Sequence, residues 1–282
     1  ADVSVKNGEL KRGKRFDGTG PAQPYLDIAL FGLMAIAKKG SKLAQLRQEI
    51  QNLTVSLTTE CPDLKGFDNV ENLTLLLADD TTPNLSNFGK LAALKTLKVE
   101  SGGWNSAGQL LSLDGLDAPL LEELYLKRAG LLEIKALSNS PRLKTVDLTQ
   151  NGNLSSLEGL SNSAATLTTL NLWECETLES ISHIGDLTCL QNLYLYGCLS
   201  LKSIEALGKV KTLKKLNLKS CRALSSLKGI ENLSLEMQNQ FGQGGSIDLS
   251  GCSSLSTLKY FPTNSANVES IDVSYTKSLK SL

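Results

Sequence analysis

Apolar residues return on a fixed schedule from Leu167 onward. Counting from that leucine, positions 3, 5, 11, 14, 17 and 20 are Leu170, Leu172, Leu178, Ile181, Ile184 and Leu187, and position 8 is Cys175. The schedule restarts at Leu190 and at Leu213, 23 residues further each time, with Cys198 and Cys221 at position 8. The alternation over the first six positions predicts a strand with one buried face. The apolar residues that follow recur every third position, which predicts short 3-10 turns.

Less regular copies start upstream at Leu143, Leu121, Leu94, Val70 and Ile50. Downstream, Ile247, Leu249 and Cys252 keep the frame, and a last copy starts at Val268. About ten units thus follow residue 50. One unit cannot bury its own apolar positions. Units must therefore stack, each contributing one strand to a shared parallel sheet.

The strings "LTTLNLWEC", "LQNLYLYGC" and "LKKLNLKSC" resemble the L-x-x-L-x-L-x-x-C/N signature of the leucine-rich repeat family. The triplet-spaced tail, as in "SIEALGKVKTL", is similar to the short repeats of bacterial internalins and of a phosphatase-regulating subunit. "LSGCSSL" is similar to repeats of plant intracellular immune receptors and trypanosomatid proteins. The resemblance implies an α/β fold: a right-handed solenoid with a parallel sheet on its concave face and 3-10 turns or short helices on its convex face. It also implies that cysteine or asparagine at position 8 points into the core and bonds the backbone of its turn.

Cys175, Cys198, Cys221 and Cys252 hold position 8, and Asn151 holds it one unit before Cys175. Exchange between these two residue types along one chain favours packing over chemistry. Strands about 4.8 Å apart bring neighbouring cysteines within the disulfide Cα range of about 4.4–6.8 Å. A ladder of side chains pointing the same way is nevertheless poor geometry for bridging. No C-x-x-C pair suggests a metal, and His183 falls on the far turn of its unit. The expectation is a buried, reduced cysteine ladder. Cys61 is a candidate displaced member, and Cys189 has no assigned role.

Residues 1–24, with "KNGELKRGKRFDGTGPAQP", read as a solvated basic arm or else a docking arm. Residues 25–49 read as a helical cap, whose apolar stretch at 28–37 would cover the open end of the first unit. Residues 50–282 form the repeat domain, its last unit incomplete. The chain opens at Ala1 without methionine, as a processed or excised protein would. The apolar run from Tyr25 to Ala37 has 13 residues, fewer than the roughly 20 a membrane-crossing helix needs.

Positions 2, 4 and 6 of each unit face outward from the sheet. They gather Trp173, Tyr194 and Tyr196, with Tyr125 two strands from Trp173. Lys127, Lys215 and Lys219, with Arg128 and Glu174, add a mixed-charge rim. Trp and Tyr are enriched in binding hot spots, although they also simply suit strands. Tyr125, Lys127, Trp173, Tyr194, Tyr196, Lys215 and Lys219 are the candidate partner-binding set. Two units carry long insertions, "SGGWNSAGQLLSL" and "SLEMQNQFGQGG", where Trp104 and Phe241 are loop anchors or contacts.

The 29 basic residues balance 29 acidic ones, so bulk charge points to neither nucleic acid nor an anionic membrane. One histidine, no phosphate loop and no metal motif point away from an enzyme and imply no cofactor. The expected function is a scaffold that recognises a protein partner through its concave face. The alternatives are a structural subunit of a large assembly, or the substrate-recognition segment of a larger enzyme or signalling protein. Animal secreted members of the family often carry disulfide-knotted caps, whereas this chain has no cysteine before Cys61 or after Cys252. That disfavours an animal extracellular receptor and leaves cytoplasm or bacterial or protozoan export.

Overall fold

The computed structural model describes residues 2–6, 9–13, 42–57, 63–77, 82–83, 85–101, 109–235, 245–262 and 268–280. Each unit supplies one strand. They are β3 (Asn52–Leu57), β4 (Asn72–Leu77), β5 (Thr96–Ser101), β6 (Glu123–Leu126), β7 (Thr145–Asp147), β8 (Thr169–Asn171), β9 (Asn192–Tyr194) and β10 (Lys215–Asn217). These eight pair in sequence order as one sheet, and every pairing is parallel. β11 (Gly245–Asp248) and β12 (Val268–Asp272) form a second parallel pair. The backbone carries the stack from β10 to β11, because Ser220 N donates to Ser250 O at 2.7 Å.

The register repeats the sequence frame. Position 3 aligns Leu53, Leu73, Leu97, Leu124, Val146, Leu170, Leu193 and Leu216 across the sheet. All but the half-buried Leu216 are buried. The row at position 5, from Val55 to Leu218, lies inside as well. Beyond the strands, 3-10 segments occur at Lys135–Asn139, Ser161–Ser163, Ser182–Ile184 and Glu205–Lys209. Their buried Leu137, Ile184 and Leu207 close the far side of the core.

Strand length changes along the stack, and residue phase explains it. In β3 and β4 the inward residues are Leu53, Val55 and Leu57, then Leu73, Leu75 and Leu77. That period-two pattern continues through position 7, and the strands run for six residues. In later units the inward residue after position 5 stands at position 8, so the alternation slips by one. An extended chain cannot absorb that slip. A left-handed residue at position 7 makes the bend, and β7 to β10 stop after three residues. The bend residues are Arg128, Gln150, Glu174, Gly197, Ser220, Gly251 and Tyr275, all with φ between 54° and 77°. None is β-branched, as the sterics of that region require.

Two glycines are imposed by stacking. Gly159 (φ +111°) and Gly229 (φ +110°) lie over the preceding unit, where an added Cβ would come within 2.4 Å of Ile134 O and 2.5 Å of Ile204 O.

At the N-terminus the expected arm is partly structured. β1 (Asp2–Lys6) and β2 (Glu9–Gly13) form an antiparallel hairpin with Lys6 opposite Glu9. The residues between them are Asn7 and Gly8, the pair that best suits a two-residue hairpin link. Of the expected cap, residues 25–41 lie outside the described residues. The rest contains α1 (Lys42–Glu49), which is tied to the first unit: Asn69 Nδ2 donates to Gln48 O, and Gln48 Nε2 donates to Gly66 O. Trp104, Phe241 and Cys61 also lie outside the described residues. Among those described, no helix is long and apolar enough to cross a membrane.

Candidate functional site

The outward face is built by positions 2, 4 and 6. Position 4 does structural work that its residue type announces. Asp147, Asn171, Asn217, Asp248 and Asp272 each use Oδ1 to accept the backbone N–H two residues on, at 2.8–3.1 Å. These Asx turns steer the chain out of the strand toward the left-handed residue. Position 6 consequently lies just past the strand end, so Trp173 and Tyr196 stand on the turns after β8 and β9.

The carbonyl at position 6 accepts the N–H at position 7 of the preceding unit. Gln150 N thus reaches Trp173 O, and Glu174 N reaches Tyr196 O, both at 2.7 Å. The backbone under both aromatic residues is therefore held by its neighbours. Their rings meet edge to face, centroids 5.1 Å apart at 81°, a preferred aromatic geometry. Trp173 remains 45% exposed. Tyr194, paired with Asn171 and Asn217, is half-buried on β9.

The rest of the expected set is dispersed around this pair. Tyr125 on β6 lies under the Lys98 ammonium, 5.4 Å from its centroid, and donates its hydroxyl to Glu123 Oε2 at 3.2 Å. Burial, then the Glu123 carboxylate, push its phenol above the ordinary value. Lys127 pairs with Asp147 and Lys219 with Asp248, both at 3.2 Å, each lysine reaching the next strand's position 4. The hydrogen bond and charge of Asp248 raise the Lys219 pKa. Lys215, on β10, stands at the opposite end of its strand from these pairs. The rim residues Arg128 and Glu174 join through Gln150: Arg128 Nε donates to Gln150 Oε1 at 2.6 Å, and Gln150 Nε2 to Glu174 Oε2 at 2.8 Å. Sequence reasoning missed Gln150 and Asp147, though an Asp or Asn two residues before a bend was a readable sign.

Behind this face runs the ladder. Cys175, Cys198, Cys221 and Cys252 are fully buried free thiols. Each donates to the position 5 carbonyl of the preceding unit: Leu148, Leu172, Leu195 and Leu218 O, at 3.1–3.3 Å. Asn151 makes the same step to Leu126 O at 2.7 Å, donates again to Leu148 O and accepts Leu131 N. Burial pushes the thiols up, Cys175 to about 12 and Cys252 to about 11, with Cys198 and Cys221 also raised. One strand and one outer turn per unit, with an inward Asn or Cys in the units of β7 to β11, define the architecture. The chain folds as a leucine-rich-repeat solenoid.

No protein-family model matches this solenoid, and no curated protein matches it. Among solved structures, it is similar to the internalin InlF of Listeria monocytogenes, with 18% identity over 89% of this chain and 92% of that one, TM-score 0.41. A leucine-rich-repeat protein of Leptospira interrogans is similar at 16% identity over 93% and 88%, TM-score 0.37. The functional domain of Listeria monocytogenes InlJ, described as including a cysteine ladder, is similar at 16% identity over 82% and 60%, TM-score 0.27.

His183 is exposed on the 3-10 segment Ser182–Ile184, on the other side of the core from Trp173. Among the described residues no group of three His, Cys, Asp or Glu side chains could hold a metal. Cys189 is half-buried and is a free thiol.

Proposed function

We propose that the protein is a recognition scaffold that holds a partner protein against the outward face of its sheet, with Trp173 and Tyr196 as anchors. The observation that supports this most is the edge-to-face pair itself. A tryptophan nearly half exposed sits on backbone that hydrogen bonds to neighbouring units hold in place. Such an anchor is largely preorganised, so little ordering entropy is lost when a partner covers it. Stacked repeats also present an extended surface in which each contact residue is fixed relative to the next. Tyr125, Tyr194, Lys127, Lys215 and Lys219 complete the surface, the two paired lysines setting its borders.

The test is a pull-down from the native source, followed by affinity measurements on Trp173→Ala and Tyr196→Ala. Each substitution should weaken the captured partner by about 2 kcal/mol, or about thirtyfold. Because both residues lie at the surface, the cost to stability should stay near the loss of their ring contact, about 0.5–1.5 kcal/mol. Capture that survives both substitutions unchanged would refute the reading.

A further inference from the structure

The outward positions of β8, β9 and the turns after them are Thr169, Asn171, Trp173, Asn192, Tyr194 and Tyr196, and none carries a charge. Charge returns on both sides, already matched. Lys127 with Asp147 closes one border and Lys219 with Asp248 the other, in the same geometry at the same distance. Along the lip, Arg128 and Glu174 are linked through Gln150. Polar atoms nevertheless remain at the centre. Among the described residues, no hydrogen bond engages the hydroxyls of Tyr194 and Tyr196, Asn171 Nδ2 or Asn192 Oδ1. Lys215 is in no ion pair among the described residues, but it pairs in register with Asn192, at the far end of the strands from Trp173 and Tyr196.

From this pattern we infer that the centre takes an uncharged segment of the partner protein. The segment presents main-chain amides to the tyrosine and asparagine groups and lays one apolar or aromatic side chain over Trp173. The inference rests on the proposed recognition surface and narrows it. A charged side chain brought onto Trp173 would lose its water, and the nearest charge along the lip, the Glu174 carboxylate, is already engaged by Gln150. A neutral amide loses water and regains a hydrogen bond. The bordering ion pairs repel neither sign strongly, yet an intruding charge must compete with a partner already in contact. Association should therefore depend little on ionic strength, unlike complexes steered by charge.

The experiment selects peptides from a random displayed library against the immobilised full chain. Binders are then measured against the unaltered protein, Trp173→Ala and Tyr196→Ala, each confirmed to be folded. Salt is varied between about 50 and about 500 mM NaCl. The expected binders carry no excess of Asp, Glu, Lys or Arg and weaken about thirtyfold on Trp173→Ala. They change less than about twofold with salt. Binders that need Trp173 but are charged, or that lose about tenfold or more with salt, overturn the inference and leave the recognition surface standing. Binders indifferent to Trp173 and Tyr196, or a failure to select any, overturn both.

Discussion

The units of β3 and β4 and those of β7 to β10 share one register, yet position 7 is treated in opposite ways. In the first pair it holds Leu57 and Leu77, both buried, and the strand pairing runs straight through them. In the later units it holds a left-handed residue facing out, and a thiol or amide one residue on turns inward. One shift in the placement of an apolar residue thus separates a flat six-residue strand from a bent three-residue one. The bend is what lifts Trp173 and Tyr196 out of the strand and onto a lip. The proposed recognition surface and the ladder are two faces of one turn.

The largest expected difference between the regions is alkaline. The folded thiols titrate well above their ordinary value of 9 because burial disfavours the thiolate. The native state then binds more protons than the unfolded state once pH exceeds 9, so stability falls as pH rises. The loss runs from pH 9 toward 11 for Cys252 and 12 for Cys175, at up to about 1.4 kcal/mol per pH unit for each thiol. Below pH 9 this contribution is fully present. Urea titrations from neutral pH to about pH 10 should show the decline, and Cys175→Ala with Cys198→Ala should flatten its slope. Rapid labelling of Cys175, Cys198, Cys221 or Cys252 in the native protein at neutral pH would contradict the burial on which this rests.

Next in size is a paired truncation at position 7. Leu77→Ala should cost about 3 kcal/mol, because it leaves a cavity between β3 and β5. Glu174→Ala, at the same place four units later, should cost under about 1 kcal/mol. Equal losses in denaturant melts would mean that the two regions are not built differently.

Asn151→Cys tests whether the ladder is uniform. The thiol can repeat the bond to Leu126 O, but Leu131 N loses its acceptor. A buried unsatisfied N–H costs about 1–3 kcal/mol, so chemical unfolding should show a loss near 2 kcal/mol. A neutral outcome would imply that water takes the vacated place.

These differences were unequally legible. Inward positions such as Leu170, Cys198 and Ile204 could be read because burial recurs with the chain itself. The same frame placed Trp173 and Tyr196 side by side on the outward face. The bend at position 7 was harder, since Arg128, Gln150, Glu174, Ser220 and Tyr275 share no chemistry that announces a positive φ. What forces it is the slip from position 5 to position 8, a property of two residues and not of the one that bends. The lysine pairings were hidden for another reason. Lys127 and Asp147 are 20 residues apart in sequence and meet only once register is known. The hairpin was signalled locally by Asn7-Gly8 within an alternating run, which the density of basic residues obscured.

The smallest expected effect is a gain. Ser220 sits at φ 60°, where a side chain is disfavoured and glycine is not. Ser220→Gly should therefore stabilise by about 0.5–1 kcal/mol. The same exchange at Ser56, inside the flat β3, should destabilise by about as much. Thermal melts of the two variants moving in the same direction would erase the distinction.

The Cys252 thiol reaches its carbonyl across 34 residues, whereas Cys198 and Cys221 each span 26, and the bond is 3.1 Å against 3.2 Å. The vertical spacing of the rungs is thus indifferent to how much chain is paid out between them. Closing a longer loop costs little, about 0.6 kcal/mol for each doubling of its length. The step from β10 to β11 should therefore take added chain without a change in rung height. A foreign peptide of moderate length spliced there should be carried at a fixed height along the stack, with thiol steps above and below it unaltered.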